Sequence, residues 1–165
     1  KAVIIYLNAF RTEVNGKKGK YKAWVSRAVA YDSNENQYES IVHAAVKHPN
    51  IAKLRALKAL LPLLKVKQGE KVHIYCGSKA LVNDFQEVKS NSIPENVSLG
   101  IWNTVLFLLQ KQRILIDKID FATHGIMSSA ETNFAKERII ENGYNIIDEP
   151  YGRKYIHDKQ NTDKK

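Results

Sequence analysis

Cysteine is nearly absent from this chain of 165 residues, which contains Cys76 alone. A single cysteine excludes an internal disulfide and any paired-cysteine metal or redox site. We therefore expect a reducing, intracellular compartment, and the choice between cytoplasm and nucleus stays open. No apolar run reaches the length that crosses a membrane, and no signal-peptide pattern is visible. These absences predict a protein without a membrane partner.

Acidic residues are in the minority. Asp and Glu number 17 against 26 Lys and Arg, which gives a formal net charge of +9 and a pI near 9.5. A basic surface attracts polyanions, so the charge favours nucleic acid as the partner. The alternative is that the lysines only keep the protein soluble.

Length and hydrophobicity predict one domain. With 44% hydrophobic residues, the chain can bury one substantial core. We place this domain at residues 1–150. Residues 151–165 are basic and polar, and we expect them to form a disordered tail.

The first third of the chain predicts three strands. Residues 1–10 (KAVIIYLNAF) form a nearly continuous β-branched and aromatic run, which is typical of a strand covered on both faces. Residues 20–32 alternate with a period of two after an Asn15-Gly16 turn, and residues 38–46 follow a second polar turn. Consecutive strands joined by short turns predict an antiparallel meander.

Helices and strands alternate in the rest of the chain. Apolar spacings of three and four predict a helix that begins at Asn50 and ends or kinks at Pro62. The elements predicted after it are a strand from Lys71 to a break at Gly77, a helix at 79–88, an apolar helix at 99–111 with Trp102 in the core, a fifth strand at 114–122, and a helix opened by a capping box at 128–131 and closed by Gly143.

This order of elements resembles the ribonuclease H fold over roughly residues 2–143. The matching segments are residues 6–10 on the first strand, 51–61 on the first helix, 74–78 at the end of the fourth strand, and the Thr123-His124-Gly125 loop. The resemblance implies an α/β fold with a five-stranded mixed sheet, in which the first three strands are antiparallel and the last two are added parallel. It also implies helices on both faces of the sheet.

In that family, four carboxylates hold two magnesium ions that activate water for phosphodiester cleavage. The matching positions here carry no carboxylate: they are Asn8, Lys53, Gly77 and, depending on the gap chosen, Thr132 or Asn133. The resemblance therefore implies a degenerate member without a magnesium cofactor, similar to the connection subdomains of reverse transcriptases. His124 matches the family's mobile loop histidine, whose role would be vestigial without a metal.

Two functions stay open. The first is an inactive module that binds an RNA/DNA hybrid or RNA duplex through a basic face, or that serves as a docking scaffold in a larger assembly. Its predicted phosphate contacts are Lys17, Lys18, Lys20, Lys22, Lys53, Arg55, Lys58 and Lys79. The apolar helix at 99–109 is either core or a surface for a protein partner. The second is an active magnesium-dependent endonuclease with a rearranged site, for which Asp120 and Glu131 are the candidate pair.

Overall fold

A computed structural model describes residues 2–92 and 99–147, and the elements within these ranges alternate as the sequence predicts. The strands are β1 (Ala2–Gly16), β2 (Gly19–Tyr31), β3 (Gln37–Ala44), β4 (Lys71–Tyr75), β5 (Ile119–Ala122) and a short β6 (Asn145–Ile146). The helices are α1 (Pro49–Leu60), α2 (Lys79–Lys89), α3 (Leu99–Lys111) and α4 (Ser128–Glu141). The predicted tail at 151–165 lies outside the described residues.

The sheet has the strand order β3-β2-β1-β4-β5. β1 pairs antiparallel with β2, and β2 pairs antiparallel with β3, whereas β1–β4 and β4–β5 are parallel pairs. The predicted five-stranded mixed sheet is therefore confirmed. The sequence did not predict β6, a two-residue strand that pairs with the far end of β1.

One face of the sheet carries the main core. Val3, Ile5 and Leu7 alternate along β1 and are buried in the same cluster as Leu54 and Leu57 of α1. Spacings of three and four place these leucines on one side of the helix, so α1 covers the sheet. The predicted core position of Trp102 is also confirmed: it is buried in this cluster and meets the ring of Phe85 edge to face at 5.1 Å.

The opposite face of the sheet is covered by α4 and is more polar. Ala135 and Ile139 of α4 are buried, and so are Arg27 on β2 and Glu131 on α4. Because neighbouring residues of a strand point to opposite faces, Arg27 faces α4 while Ala28 faces α1. Helices thus lie on both faces of the sheet, as expected. Within the described residues, no helix is long and apolar enough to span a membrane.

Several predicted boundaries were wrong. β1 does not end at Phe10 but continues to Gly16, because its second half pairs with β2 as far as Gly19. α1 begins at Pro49, because the His48 side chain caps it by accepting from the Asn50 amide at 3.1 Å. The predicted fifth strand begins only at Ile119. Ile114 still closes the end of α3, because its amide donates a hydrogen bond to the Leu109 carbonyl, and a 3₁₀ turn then spans Ile116–Lys118.

At α4, the predicted capping box does not form. The helix has no side-chain cap, and Glu131 is buried in ion pairs instead. Gly143, with a φ of 91°, follows the end of this helix as predicted. Its amide donates to the Ile140 carbonyl at 2.9 Å, which is typical of a helix that closes on a left-handed glycine.

Candidate functional site

The ends of α1 and α2 meet at the carboxyl end of β4. Gly77 has a φ of 64°, a conformation that favours glycine, and Ser78 then caps α2 by accepting from the Leu81 amide at 3.2 Å. The Asn50 side chain at the start of α1 donates to the same Ser78 hydroxyl at 3.1 Å. This bond fixes the two helix N-termini side by side at the place where α/β proteins collect their ligands.

The four positions that match family carboxylates converge here. Tyr6 of β1 pairs in parallel with Tyr75 of β4, so Asn8 and Gly77, each two residues further on, lie at neighbouring positions. Lys53 reaches this place from α1, on one face of the sheet, and Thr132 reaches it from α4, on the other. We call Asn8, Lys53, Gly77 and Thr132 the crevice.

Lys53 forms the inner wall of the crevice. Its side chain is buried, with 8% of the residue exposed, and its Nζ donates to the Cys76 carbonyl at 2.6 Å. The Nζ would lie 3.7 Å from a Cβ placed on Gly77. Burial lowers the pKa of Lys53, because the charged form loses its hydration. Burial also raises the pKa of the Cys76 thiol, so this side chain packs in the core as a small neutral residue.

Asn8 and Thr132 form the other contact in the crevice. The Thr132 hydroxyl lies 3.2 Å from Asn8 Oδ1 and 2.8 Å from the Ser128 carbonyl, so it donates to one of these two oxygens at a time. Of the two positions left open by the sequence, Thr132 is the one that contacts Asn8. Asn133, the neighbouring residue on α4, is exposed.

This donor set does not fit a magnesium ion. Magnesium prefers hard anionic oxygen ligands, and the side chains of the crevice supply one amide, one hydroxyl and a basic amine. Protonated Lys53 would repel a divalent cation. Within residues 2–92 and 99–147, no three His, Cys, Asp or Glu side chains lie close enough to hold a metal.

The carboxylates proposed for a rearranged site do not lie together. Asp120 on β5 is 54% exposed and lies 3.5 Å from His73 Nδ1. Glu131 contacts Arg27 and Tyr31, which belong to β2. Two strands separate β2 from β5, so about three strand spacings, or about 14 Å, lie between the two places. The structure therefore does not bring this candidate pair together.

Glu131 belongs instead to a buried ionic network under α4. Arg27 is 2% exposed and donates to Glu131 at 3.2 Å and to Glu39 at 2.7 Å, and Arg138 also donates to Glu39, at 2.8 Å. The Tyr31 hydroxyl donates to Glu131 at 2.5 Å. Burial, followed by this hydrogen bond, raises the pKa of Tyr31 to about 12. No sequence pattern indicates this network, because its members are far apart along the chain.

The predicted basic contacts fall at three separate places. Lys17, Lys18, Lys20 and Lys22 are exposed on the β1–β2 hairpin, where Lys20 lies 3.4 Å from Glu13. Lys79, the first residue of α2, is exposed next to Ser78 and Gly77 in the crevice region.

The third place is α1, where the three predicted contacts do not share a face. Lys53 points inward, whereas Arg55 and Lys58 are exposed and line a groove between α1 and α3. Lys53 was predicted as a phosphate contact, and the structure places its side chain on the buried side of the helix.

The loop of His124 lies over the end of β4. His124 itself is exposed. The next residue, Gly125, packs on the Tyr75 ring so closely that an added Cβ would lie 2.7 Å from the ring. Tyr75 in turn stacks on Tyr6 at 5.2 Å. Gly125 thus holds the loop against the sheet, while the His124 ring faces solvent.

No family model and no curated protein matches the chain. Solved structures do match it. LC11-RNase H1, isolated from compost and solved in complex with an RNA/DNA hybrid, has a TM-score of 0.52 at 17% identity, covering 81% of this chain and 92% of that one. The N-terminal RNase H domain of a Mycobacterium tuberculosis protein gives 0.51 at 18%, covering 81% and 94%. The RNase H domain of the foamy virus PFV gives 0.53 at 10%, covering 82% and 90%. Likenesses at these identities show a shared fold.

Proposed function

We propose that this chain, which has the ribonuclease H-like fold, binds an RNA-containing duplex and does not cleave it. The observation that carries the proposal is the buried Lys53 amine, bonded to the Cys76 carbonyl at 2.6 Å. It occupies a position where the resemblance implies a metal-binding carboxylate. A cation there opposes divalent ions and favours anions, so we propose that no magnesium cofactor is used.

The proposed ligand is an RNA/DNA hybrid. LC11-RNase H1, which shares the fold, was solved in complex with such a hybrid. The net charge of +9 supports a polyanionic ligand for this chain as well. Fold alone does not define a function, so the two observations are needed together.

Exposed lysines would supply the phosphate contacts. Lys79 is the best placed of them, because it opens α2 beside the crevice, where the positive end of the helix dipole also favours an anion. The hairpin lysines extend the positive surface along the sheet. Lys53 is buried, so we assign it an electrostatic effect on the ligand and no direct phosphate contact.

The binding test is a titration of labelled RNA/DNA hybrid against the protein at several salt concentrations. We expect affinity to fall steeply with salt, since phosphate contacts release counterions. Lys79→Glu should weaken binding by about three- to tenfold at low salt, because one contact is lost and one repulsion is added. The matched control is Lys118→Glu, which makes the same charge change at an exposed position before β5, at the opposite end of the strands from the crevice, and should change affinity less than about twofold. An affinity that does not change with salt concentration, or an equal loss of affinity in both variants, would refute the proposed binding surface.

The cleavage test uses the same hybrid with magnesium or manganese. We expect the RNA strand to stay intact, because the crevice offers no anionic ligand for either metal. Metal-dependent cleavage that Asp120→Asn abolishes would replace this proposal with an active nuclease. Binding and cleavage are measured separately, so either half can fail alone.

A further inference from the structure

A second surface of the protein lies between α1 and α3. It is an open groove of about 770 Å³ whose residues contribute nothing to the crevice. Its apolar lining includes Val42, Pro62, Ile101, Phe107 and Leu108. Ile101 and Leu108 are half-buried, and Phe107 is 61% exposed. An aromatic side chain left in water beside other apolar groups is typical of an interaction surface.

The groove is also basic. Arg55 and Lys58 line it from α1, and no Asp or Glu lines it. Within the described residues, neither cation has a carboxylate partner, although Lys20, Arg27 and Arg138 do. The groove therefore presents apolar surface together with two uncompensated positive charges, and a complementary ligand needs both apolar and acidic groups.

We propose that this groove docks an amphipathic helical segment of another protein, with large apolar side chains on one face and Asp or Glu beside them. The groove lining runs from Arg55 to Pro62 on one side and from Gly100 to Leu108 on the other, so its walls are about 11–12 Å long, enough for about two turns of a docked helix. Helices commonly bind such grooves through apolar residues at i, i+3 or i+4, and i+7. Arg55 and Lys58 would then pair with the acidic residues along the helix.

The groove chemistry argues against two other occupants. A nucleic-acid backbone would place solvated phosphates against the apolar residues of the groove, which offer them no hydrogen bond. A second copy of this chain, seated symmetrically, would bring two positive charges from each copy into one interface whose groove residues include no carboxylate. A nucleic-acid backbone would leave the apolar residues of the groove without a partner, and a second copy would leave its cations without one. The proposal does not depend on nucleic-acid binding at the crevice.

The test uses a labelled synthetic helical peptide with leucines on one face and flanking glutamates. A second peptide of the same pattern carries lysines in place of the glutamates. Fluorescence anisotropy should show binding of the acidic peptide and at least about tenfold weaker binding of the basic one. Phe107→Ala should weaken the acidic peptide about tenfold, because it removes an apolar anchor. Since Phe107 is exposed, this variant should fold, and circular dichroism checks it.

Charge variants separate specific docking from general attraction. Arg55→Glu combined with Lys58→Glu should lower affinity for the acidic peptide about tenfold or more. Lys118→Glu combined with Lys136→Glu makes the same change in net charge at exposed positions away from the groove, and it should change affinity less than about twofold.

Three results would overturn the proposal. The first is that the acidic peptide fails to bind, or that both double variants lower its affinity equally. The second is a dimer in sedimentation that Phe107→Ala dissociates, which would assign the groove to a second copy. The third is a hybrid affinity that falls in the Arg55→Glu, Lys58→Glu variant and not in the control, which would assign the groove to nucleic acid.

Discussion

Replacement of Glu131 by glutamine separates the two roles that this residue could have. A structural Glu131 neutralises the buried Arg27 side chain, and the two side chains are 4% and 2% exposed. The glutamine would keep the size of the side chain and an oxygen for the Tyr31 hydroxyl, while removing the negative charge. A metal-binding Glu131 would instead behave as one of several acidic ligands that repel each other without the metal.

The structure sets the size of the expected effect. Loss of one partner from a buried ion pair destabilises a protein by about 3–5 kcal/mol. Arg27 keeps its 2.7 Å contact with Glu39, and the introduced glutamine keeps a hydrogen-bond acceptor, so we expect a smaller loss of about 2–3 kcal/mol in the free energy of unfolding. For a domain of this size, that loss lowers Tm by roughly 4–12 °C.

The assay is unfolding by urea and by heat, monitored by circular dichroism in a buffer that contains a chelator. Glu137→Gln is the matched control, because Glu137 is exposed on the same helix and its neutralisation should change stability by less than about 0.5 kcal/mol. A Glu131→Gln variant as stable as the wild type would refute the ionic network. A more stable variant that also lost a metal-dependent cleavage would restore Glu131 as a metal ligand.

Two further predictions concern Glu39 and Gly77. Hydrogen bonds from Arg138, and then from Arg27, lower the pKa of Glu39 from its usual 4.5, so its contribution to stability is present above pH 4.5 and is lost as pH falls through the lowered folded pKa. The urea midpoint should therefore drop in acid, and it should drop less in Glu39→Gln. Gly77→Asp puts a carboxylate near the Lys53 Nζ. Because residue 77 has a left-handed backbone, we expect the free energy of unfolding, measured with urea, to fall by about 1 kcal/mol. We expect no magnesium-dependent cleavage on a gel, because Lys53 still opposes a divalent cation. Cleavage restored by this one change would contradict the role given to Lys53.

The sheet could be predicted because its signals are local. Residues 2–7 of β1 are apolar in succession, and this pattern correctly indicated a strand covered on both faces. Consecutive strands joined by short turns are antiparallel, whereas strands joined through a helix are added parallel. The order of elements along the chain therefore decided most of the topology before any long-range contact was known.

Two of the wrong predictions have different physical causes, one long-range and one local. The sequence at 128–131 fits a capping box, but Glu131 finds Arg27, which lies 104 residues earlier in the chain, and the helix begins without that cap. Residues 114–116 are aliphatic enough for a strand, yet Ile114 closes α3 through its amide hydrogen bond to the Leu109 carbonyl. In the first case a tertiary contact overrode a valid local pattern, and in the second the closing turn of α3 did.

Lys53 shows why the site was harder to predict than the fold. Its position in the sequence matched a family carboxylate, and its charge alone suggested a surface contact. Only the structure shows that the amine lies inside, with its hydrogen bond to the Cys76 carbonyl. No local sequence pattern indicates which backbone carbonyl a buried lysine will reach, because that carbonyl lies 23 residues away and on another element.

The two contacts of the crevice also limit how a ligand can bind there. Lys53 already bonds to Cys76, and Asn8 already lies against Thr132, so an incoming phosphate would have to break these contacts to reach the inner wall. A buried hydrogen bond that is broken without replacement costs about 1–3 kcal/mol. Exposed Lys79 has no such penalty, because its ammonium exchanges contacts with water for contacts with phosphate. If the proposed hybrid binding occurs, its salt dependence should therefore come from Lys79 and the hairpin lysines, while Lys53 contributes only a positive potential beneath them.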